Sequence, residues 1–145
     1  MIETPVAFFA TLTSYIQHAG RNQTIVFDRV VTNVGNAYNS HVGVFTAPVS
    51  GIYVFSVSLL GYPGHTNVYE LYKNDVLLSN IFLWTPVIGQ YESTSQTSVL
   101  QLNKGDDVTL RNRFVDEILH GDNYSTFAGF LVWGDFNVQP IAVGK

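Results

Sequence analysis

Apolar and polar positions alternate with a period of two through most of the chain, and nowhere does an apolar repeat at i, i+3, i+4, i+7 persist for a dozen residues. A period of two puts successive side chains on opposite faces of an extended strand, so the pattern predicts strands and not helices. β-Branched and aromatic runs mark them at 6–13, 24–31, 42–46, 51–60, 68–73, 76–84, 97–102, 107–114 and 125–133. Turn residues separate the runs: Val34-Gly35-Asn36, Ala47-Pro48, Tyr62-Pro63-Gly64, Lys73-Asn74-Asp75 and Asn103-Lys104-Gly105. Asn74-Asp75 suits a two-residue hairpin because both residue types tolerate positive φ, and Gly105 suits the left-handed position of a three-residue hairpin. Both turns predict antiparallel neighbours. Strands at such regular spacing predict a single all-β domain, a sandwich or a barrel, over residues 1–145 with its core at 6–134. The segment 138–145 reads as a loosely tied tail.

Two strands depart from simple alternation. Residues 51–60, GIYVFSVSLL, carry Tyr53, Phe55, Val57 and Leu59 on one face and Ile52, Val54, Ser56, Ser58 and Leu60 on the other. The final run sets Phe127, Gly129, Leu131 and Trp133 against Thr126, Ala128, Phe130 and Val132. An antiparallel strand solvated on one side is polar on that side. These two strands therefore predict packing against both faces. Composition agrees: 46% of the 145 residues are hydrophobic and only 12% are charged, against roughly 25% in an average soluble domain. A surface so poor in charge predicts a covering partner.

The net charge of -4 and the scattered Lys and Arg argue against nucleic acid, which calls for a basic patch. Without cysteine there is neither a disulfide framework nor a thiolate metal site. No apolar run approaches the ~18 residues that span a bilayer, so membrane insertion is not expected. The opening MIETP does not have the composition of a secretory leader.

The spacing of aromatic, Asn and Gly positions resembles that of the globular head domain of the complement C1q family. The run is Phe27, Asn33, Tyr38, Phe45, Gly51, Tyr53 and Phe55, with Val57 where the family usually has Phe or Tyr. The stretch from Leu100 through Gly105-Asp106 to Leu110 is similar to the family's late hairpin, and Phe127-Ala128-Gly129-Phe130-Leu131 to its closing strand. The run at 7–10, AFFA, is similar to its opening strand. The resemblance implies a jelly-roll sandwich of about ten antiparallel strands, shared with tumour necrosis factor and assembled as a homotrimer. It also implies a secreted, extracellular protein. Under this reading the second face of 51–60 and of 125–133 lies against neighbouring subunits, and the signature residues with Phe127, Gly129 and Phe130 belong to the core or the trimer interface.

Catalytic chemistry is not indicated. There is no Cys and no G-x-S-x-G elbow, and Glu117-Ile-Leu-His120, though spaced like a di-iron helix ligand pair, falls in a loop of a β protein. His18, His41, His65 and His120 show no metal-binding spacing and read as surface or hydrogen-bonded residues. No metal ligand and no cofactor is assigned. Some C1q-like heads bind calcium near the trimer apex, but the 61–67 loop, GYPGHTN, offers no carboxylate and does not support it. Asn22 and Asn123 stand in N-glycosylation sequons.

A protein without catalytic machinery acts through loops on a rigid scaffold. Three loops combine aromatic rings with planar polar groups, the mixture that stacks on sugars and hydrogen-bonds their hydroxyls: 61–69, 84–93 and 115–124. The candidate ligand-binding residues are His120, Asp122, Asn123 and Tyr124, with His65, Asn67 and Tyr91. The expected role is an innate-immune recognition head for microbial or self glycans or lipopolysaccharide. The alternatives are a trimeric ligand for a cell-surface receptor of the tumour necrosis factor type and a structural trimerisation module.

Overall fold

The computed structural model describes residues 5–134; the 138–145 segment lies outside the described residues. Ten strands form: β1 (Ala7–Thr11), β2 (Arg29–Val34), β3 (Tyr38–Asn39), β4 (Val44–Thr46), β5 (Gly51–Leu60), β6 (Asn67–Lys73), β7 (Val76–Leu83), β8 (Ser93–Leu102), β9 (Asp107–Asn112) and β10 (Thr126–Gly134). They pair into two five-stranded sheets, a first of order β2-β1-β10-β5-β8 and a second of order β3-β4-β9-β6-β7. Every ladder is antiparallel. This is the jelly roll that the resemblance implied.

The core lies between the sheets and is aromatic at its centre. Phe8 stacks on Tyr38 at 4.8 Å and on Phe45 at 5.4 Å, and meets the edge of Phe127 at 5.0 Å. Each such ring, fully buried, contributes roughly 1.5–3 kcal/mol through removal of apolar surface from water. Of the signature residues, Phe27, Tyr38, Phe45, Gly51, Tyr53, Phe55, Phe127 and Gly129 are all buried. Gly129 is small by necessity, since a Cβ there would stand 2.6 Å from the Phe55 ring. Asn33 closes the turn before β3, donating to the Tyr38 carbonyl at 2.8 Å and accepting from the Tyr38 amide at 3.2 Å. Phe130 alone of the group points outward and is half exposed.

Three expectations are corrected. The 24–31 run is not one strand: Thr24 bridges to Arg111 in the second sheet, and β2 begins at Arg29 in the first. The chain crosses between sheets there, so Phe27 is buried outside any strand, and its amide and carbonyl both bond the Tyr38 hydroxyl. Asn103-Lys104-Gly105 does not close a hairpin, because β8 and β9 belong to different sheets. Gly105 does take positive φ, but its amide bonds the Ala47 carbonyl at 2.8 Å as the chain turns from one sheet to the other. Finally, a register shift between Leu131 and Trp133 turns Trp133 away from the core face shared by Phe127, Gly129 and Leu131. The Asn74-Asp75 hairpin forms as expected, pairing Lys73 with Val76.

The two outer faces differ sharply in chemistry. The second sheet's outer face carries Glu70 and Arg111, tied to neighbours by Arg113–Glu70 at 2.8 Å and Arg111–Asp75 at 3.2 Å. In the first sheet, by contrast, β1, β5, β8 and β10 contain no charged residue, and Arg29 on the edge strand β2 is the sheet's lone charge. Outward rows run Val34-Ala7-Phe130-Val54-Val99 and Thr32-Phe9-Ala128-Ser56-Thr97. The double-sided pattern of β5 and β10 thus has one face in the core and the other on an uncharged surface of small and apolar groups.

Candidate functional site

The described chain ends lie together at one end of the sandwich, where Gly134 pairs with Gly51 and Ala7 with Val34. The opposite, distal end gathers the loops that follow β1, β5, β7 and β9. All three loops singled out from the sequence converge there. Gly61 bridges Leu119 and its amide bonds the Glu92 carbonyl at 2.8 Å, which joins the 61–69, 84–93 and 115–124 loops in one contact.

Backbone geometry sets the 115–124 loop in place. Asp122 and Asn123 both take positive φ, which Asn and Asp tolerate better than most residues. Their amides reach the Thr13 and Leu12 carbonyls at 3.0 and 2.7 Å, stapling the loop onto the β1–β2 connection. Gly121 permits this approach, since a Cβ would stand 2.3 Å from the Ser14 carbonyl carbon.

At the centre stands His120, ringed by four tyrosines. Its ring centroid lies 4.4 Å from Tyr15, 5.0 Å from Tyr124, 5.6 Å from Tyr91 and 6.4 Å from Tyr62. Nδ1 is 3.0 Å from the Gly121 carbonyl, which can only accept, so Nδ1 carries the proton. Nε2 then accepts from the Tyr15 hydroxyl at 3.0 Å. The Tyr15 phenol is held above its ordinary pKa, first by desolvation and then by Tyr91, Tyr62, Asp122 and Tyr124, so it remains a donor at neutral pH. Beside the cluster, His65 Nδ1 meets Glu117 at 2.8 Å and Tyr62 at a ring distance of 5.8 Å.

The sequence candidates divide accordingly. Asp122, Asn123, Tyr124 and Tyr91 are exposed at the distal end, and His65 is half-buried there. His120 is only 5% exposed, so it supports the cluster from beneath and is not a surface contact. Asn67 is 2% exposed and is corrected to a structural residue. Its amide donates to Asn112 at 2.6 Å and its carbonyl accepts from the amides of Val68 and Phe114. Tyr15 and Tyr62 were not singled out, and Tyr15 lies 105 positions from the histidine it bonds. No local spacing marks such a pair.

The calcium of some C1q-like heads does not fit these residues. The 61–67 loop supplies no carboxylate, and the neighbouring Glu117 is committed to His65. Among the described residues no three His, Asp or Glu side chains come together as metal ligands. Nor is any helix among them long and apolar enough to cross a membrane.

Comparison with known proteins agrees with the fold. The family model for the C1q domain matches residues 7–132. The chain is 37% identical over 134 residues to human complement C1q tumor necrosis factor-related protein 3, covering 90% of this chain and 52% of that protein. It is 33% identical over 133 residues to zebrafish Caprin-2, covering 90% of this chain and 14% of that protein. The chain thus spans about half or less of these relatives' length. Among solved structures, the globular domain of zebrafish complement 1qA superposes with a TM-score of 0.73 at 20% identity, over 90% of this chain and 99% of the other. Eiger TNF from S. frugiperda gives 0.72 at 16% identity, over 96% and 100%. A match spanning nearly the whole described domain, with the signature residues packed in its core, shows that the chain belongs to the C1q domain family.

Proposed function

We propose that this chain is a secreted recognition module that assembles as a trimer and binds glycans or lipopolysaccharide on microbial or self surfaces through its distal end. The observation that carries the reading is the convergence of three separate loops on one cluster of four tyrosines around His120. Exposed tyrosine rings stack on the apolar faces of sugars, and the adjacent Asp122 and Asn123 offer acceptors and donors for hydroxyls. The Tyr15 ring, held by its hydrogen bond to His120, loses little freedom on binding.

Assembly rests on the uncharged outer face of the first sheet. An uncharged face with an exposed apolar row, Val34-Ala7-Phe130-Val54-Val99, is suited to an interaction surface, and the low charged fraction of the chain follows if that face is covered. A closed ring needs two different patches on each subunit; besides the sheet face, the β7 edge exposes Val76, Leu77 and Phe82, followed by Trp84. Three distal ends then face the same way, and simultaneous contacts multiply weak single-site binding by roughly 10²–10⁴.

The test is a glycan and lipopolysaccharide array probed with the purified chain and with Tyr124→Ala. The expected result is specific signal that falls at least tenfold in the variant, the direction set by the loss of about 1 kcal/mol or more of ring contact at each of three sites. A blank array from protein shown to be trimeric would instead favour a receptor ligand or a structural module.

A further inference from the structure

We propose that Asn22 carries an N-linked glycan and that Asn123, the other sequon asparagine, does not. The inference rests on the secretory part of the proposed function and adds a modification site on the second sheet. Asn22 is exposed, and its Oδ1 accepts from Arg111 at 3.4 Å. Its Nδ2, the atom to which a glycan is joined, has no partner among the described residues. Thr24 turns its methyl toward Gly43, where a Cβ would stand 3.1 Å away, and its hydroxyl likewise has no partner among the described residues. The two groups that define the sequon, an amide and a hydroxyl two residues on, therefore both stay free in the folded chain.

The second sequon is consumed by the fold. Ser125 is fully buried, donates to the His120 carbonyl at 2.7 Å and accepts from the Leu60 amide at 3.1 Å. Asn123 is exposed, but its Oδ1 accepts from the hydroxyl of buried Thr11 at 2.7 Å and lies 3.5 Å from Arg29. Glycan transfer at Asn123 competes with the closure of β10, which withdraws the Ser125 hydroxyl; transfer at Asn22 has no such competitor for Thr24. In the transfer, Nδ2 forms a bond to C1 of the first sugar of a lipid-diphosphate-linked oligosaccharide. The C1–oxygen bond to the diphosphate breaks, the diphosphate leaves with the electron pair, and Nδ2 gives up one proton.

The position suits a glycan in the assembled protein. The 22–25 segment runs along β9, with the Asn22 amide on the Asn112 carbonyl and the Ile25 amide on the Leu110 carbonyl, both at 2.8 Å. Because β6 pairs with the other side of β9, these two strands separate Asn22 from the β7 edge, and the first sheet's outer face lies on the far side of the sandwich. A shallow groove lined by Arg21, Glu70, Tyr72, Asp75 and Arg111 opens beside Asn22 and offers the first sugars donors and acceptors. A glycan here covers the charged sheet and leaves both proposed assembly surfaces free.

The test is expression of the full chain in insect cells behind a cleavable secretory leader. Release of N-glycans by peptide N-glycosidase in heavy-oxygen water converts each occupied asparagine to labelled aspartate, which peptide mass mapping then places. Label is expected at Asn22 and none at Asn123. Thr24→Val keeps the shape of the side chain and leaves Asn22 in its positive-φ conformation. It is expected to abolish the label while leaving the circular dichroism spectrum and the mass of the deglycosylated assembly unchanged. An unlabelled Asn22, in secreted and retained protein alike, overturns the inference, and label at Asn123 overturns the selectivity argued from the two hydroxyls. A chain labelled at Asn22 that gives a blank array keeps this inference and removes the recognition reading. Array signal from an unlabelled chain does the reverse.

Discussion

Replacing Phe130 by aspartate is expected to release folded monomers from the assembly. Phe130 sits in the middle row of the first sheet's outer face, flanked by Ala7 on β1 and Val54 on β5, and it is half exposed in the single chain. A carboxylate there costs the isolated chain little, because the position faces water. In the assembly it buries an unpaired charge among apolar groups, on a face whose strands β1, β5, β8 and β10 provide no cation. Truncating a central interface residue costs about 2–4 kcal/mol, so association weakens by at least about thirtyfold. Light scattering across a micromolar dilution series reads the shift, and circular dichroism confirms that the sandwich persists. An unchanged mass for Phe130→Asp would place the covered surface elsewhere.

The neighbouring pair Phe8 and Phe9 separates folding from assembly. Phe8 faces the core and touches Tyr38, Phe45, Phe55 and Phe127, within 6.3 Å in ring centroid distance. Phe8→Ala empties the centre of that cluster, where the rings on both sheets are too confined to close the gap. The expected loss is about 3–5 kcal/mol of stability, read as a lower urea midpoint at fixed protein concentration, since assembly also shifts apparent stability. Phe8→Leu is expected to lose clearly less. Phe9, one residue on, lies on the outer face. A loss below about 1 kcal/mol for Phe8→Ala would mean that the aromatic cluster is not the core of the fold.

Much of the sandwich was legible because alternation is a local property. Tyr53, Phe55, Val57 and Leu59 announce their buried face whichever strands flank them. The first residues of β8, Ser93 to Gln96, carry no apolar signal, so the strand starts four residues before the run that marks it at Thr97. Turn residues report backbone conformation and not topology: Gly105 takes the left-handed geometry expected of it, yet the next strand joins the other sheet. The distal site was legible in part. Its loops were recognisable by their mixture of rings and polar groups, but burial depends on partners far along the chain. Asn67 looks like a solvated loop residue until Asn112, 45 positions away, accepts its amide. His120 looks like a ligand contact until Tyr15 closes over it.

Avid binding at the distal end requires that copies of this chain cover the uncharged face of the first sheet and leave the distal ends open. Sedimentation equilibrium of the unmodified chain at micromolar concentration measures this directly. The predicted result is a single species of three times the 16.1 kDa chain mass. A species at the chain mass across that range would contradict trimeric assembly, because the uncharged face would then stand bare in water and no avidity would support the distal site.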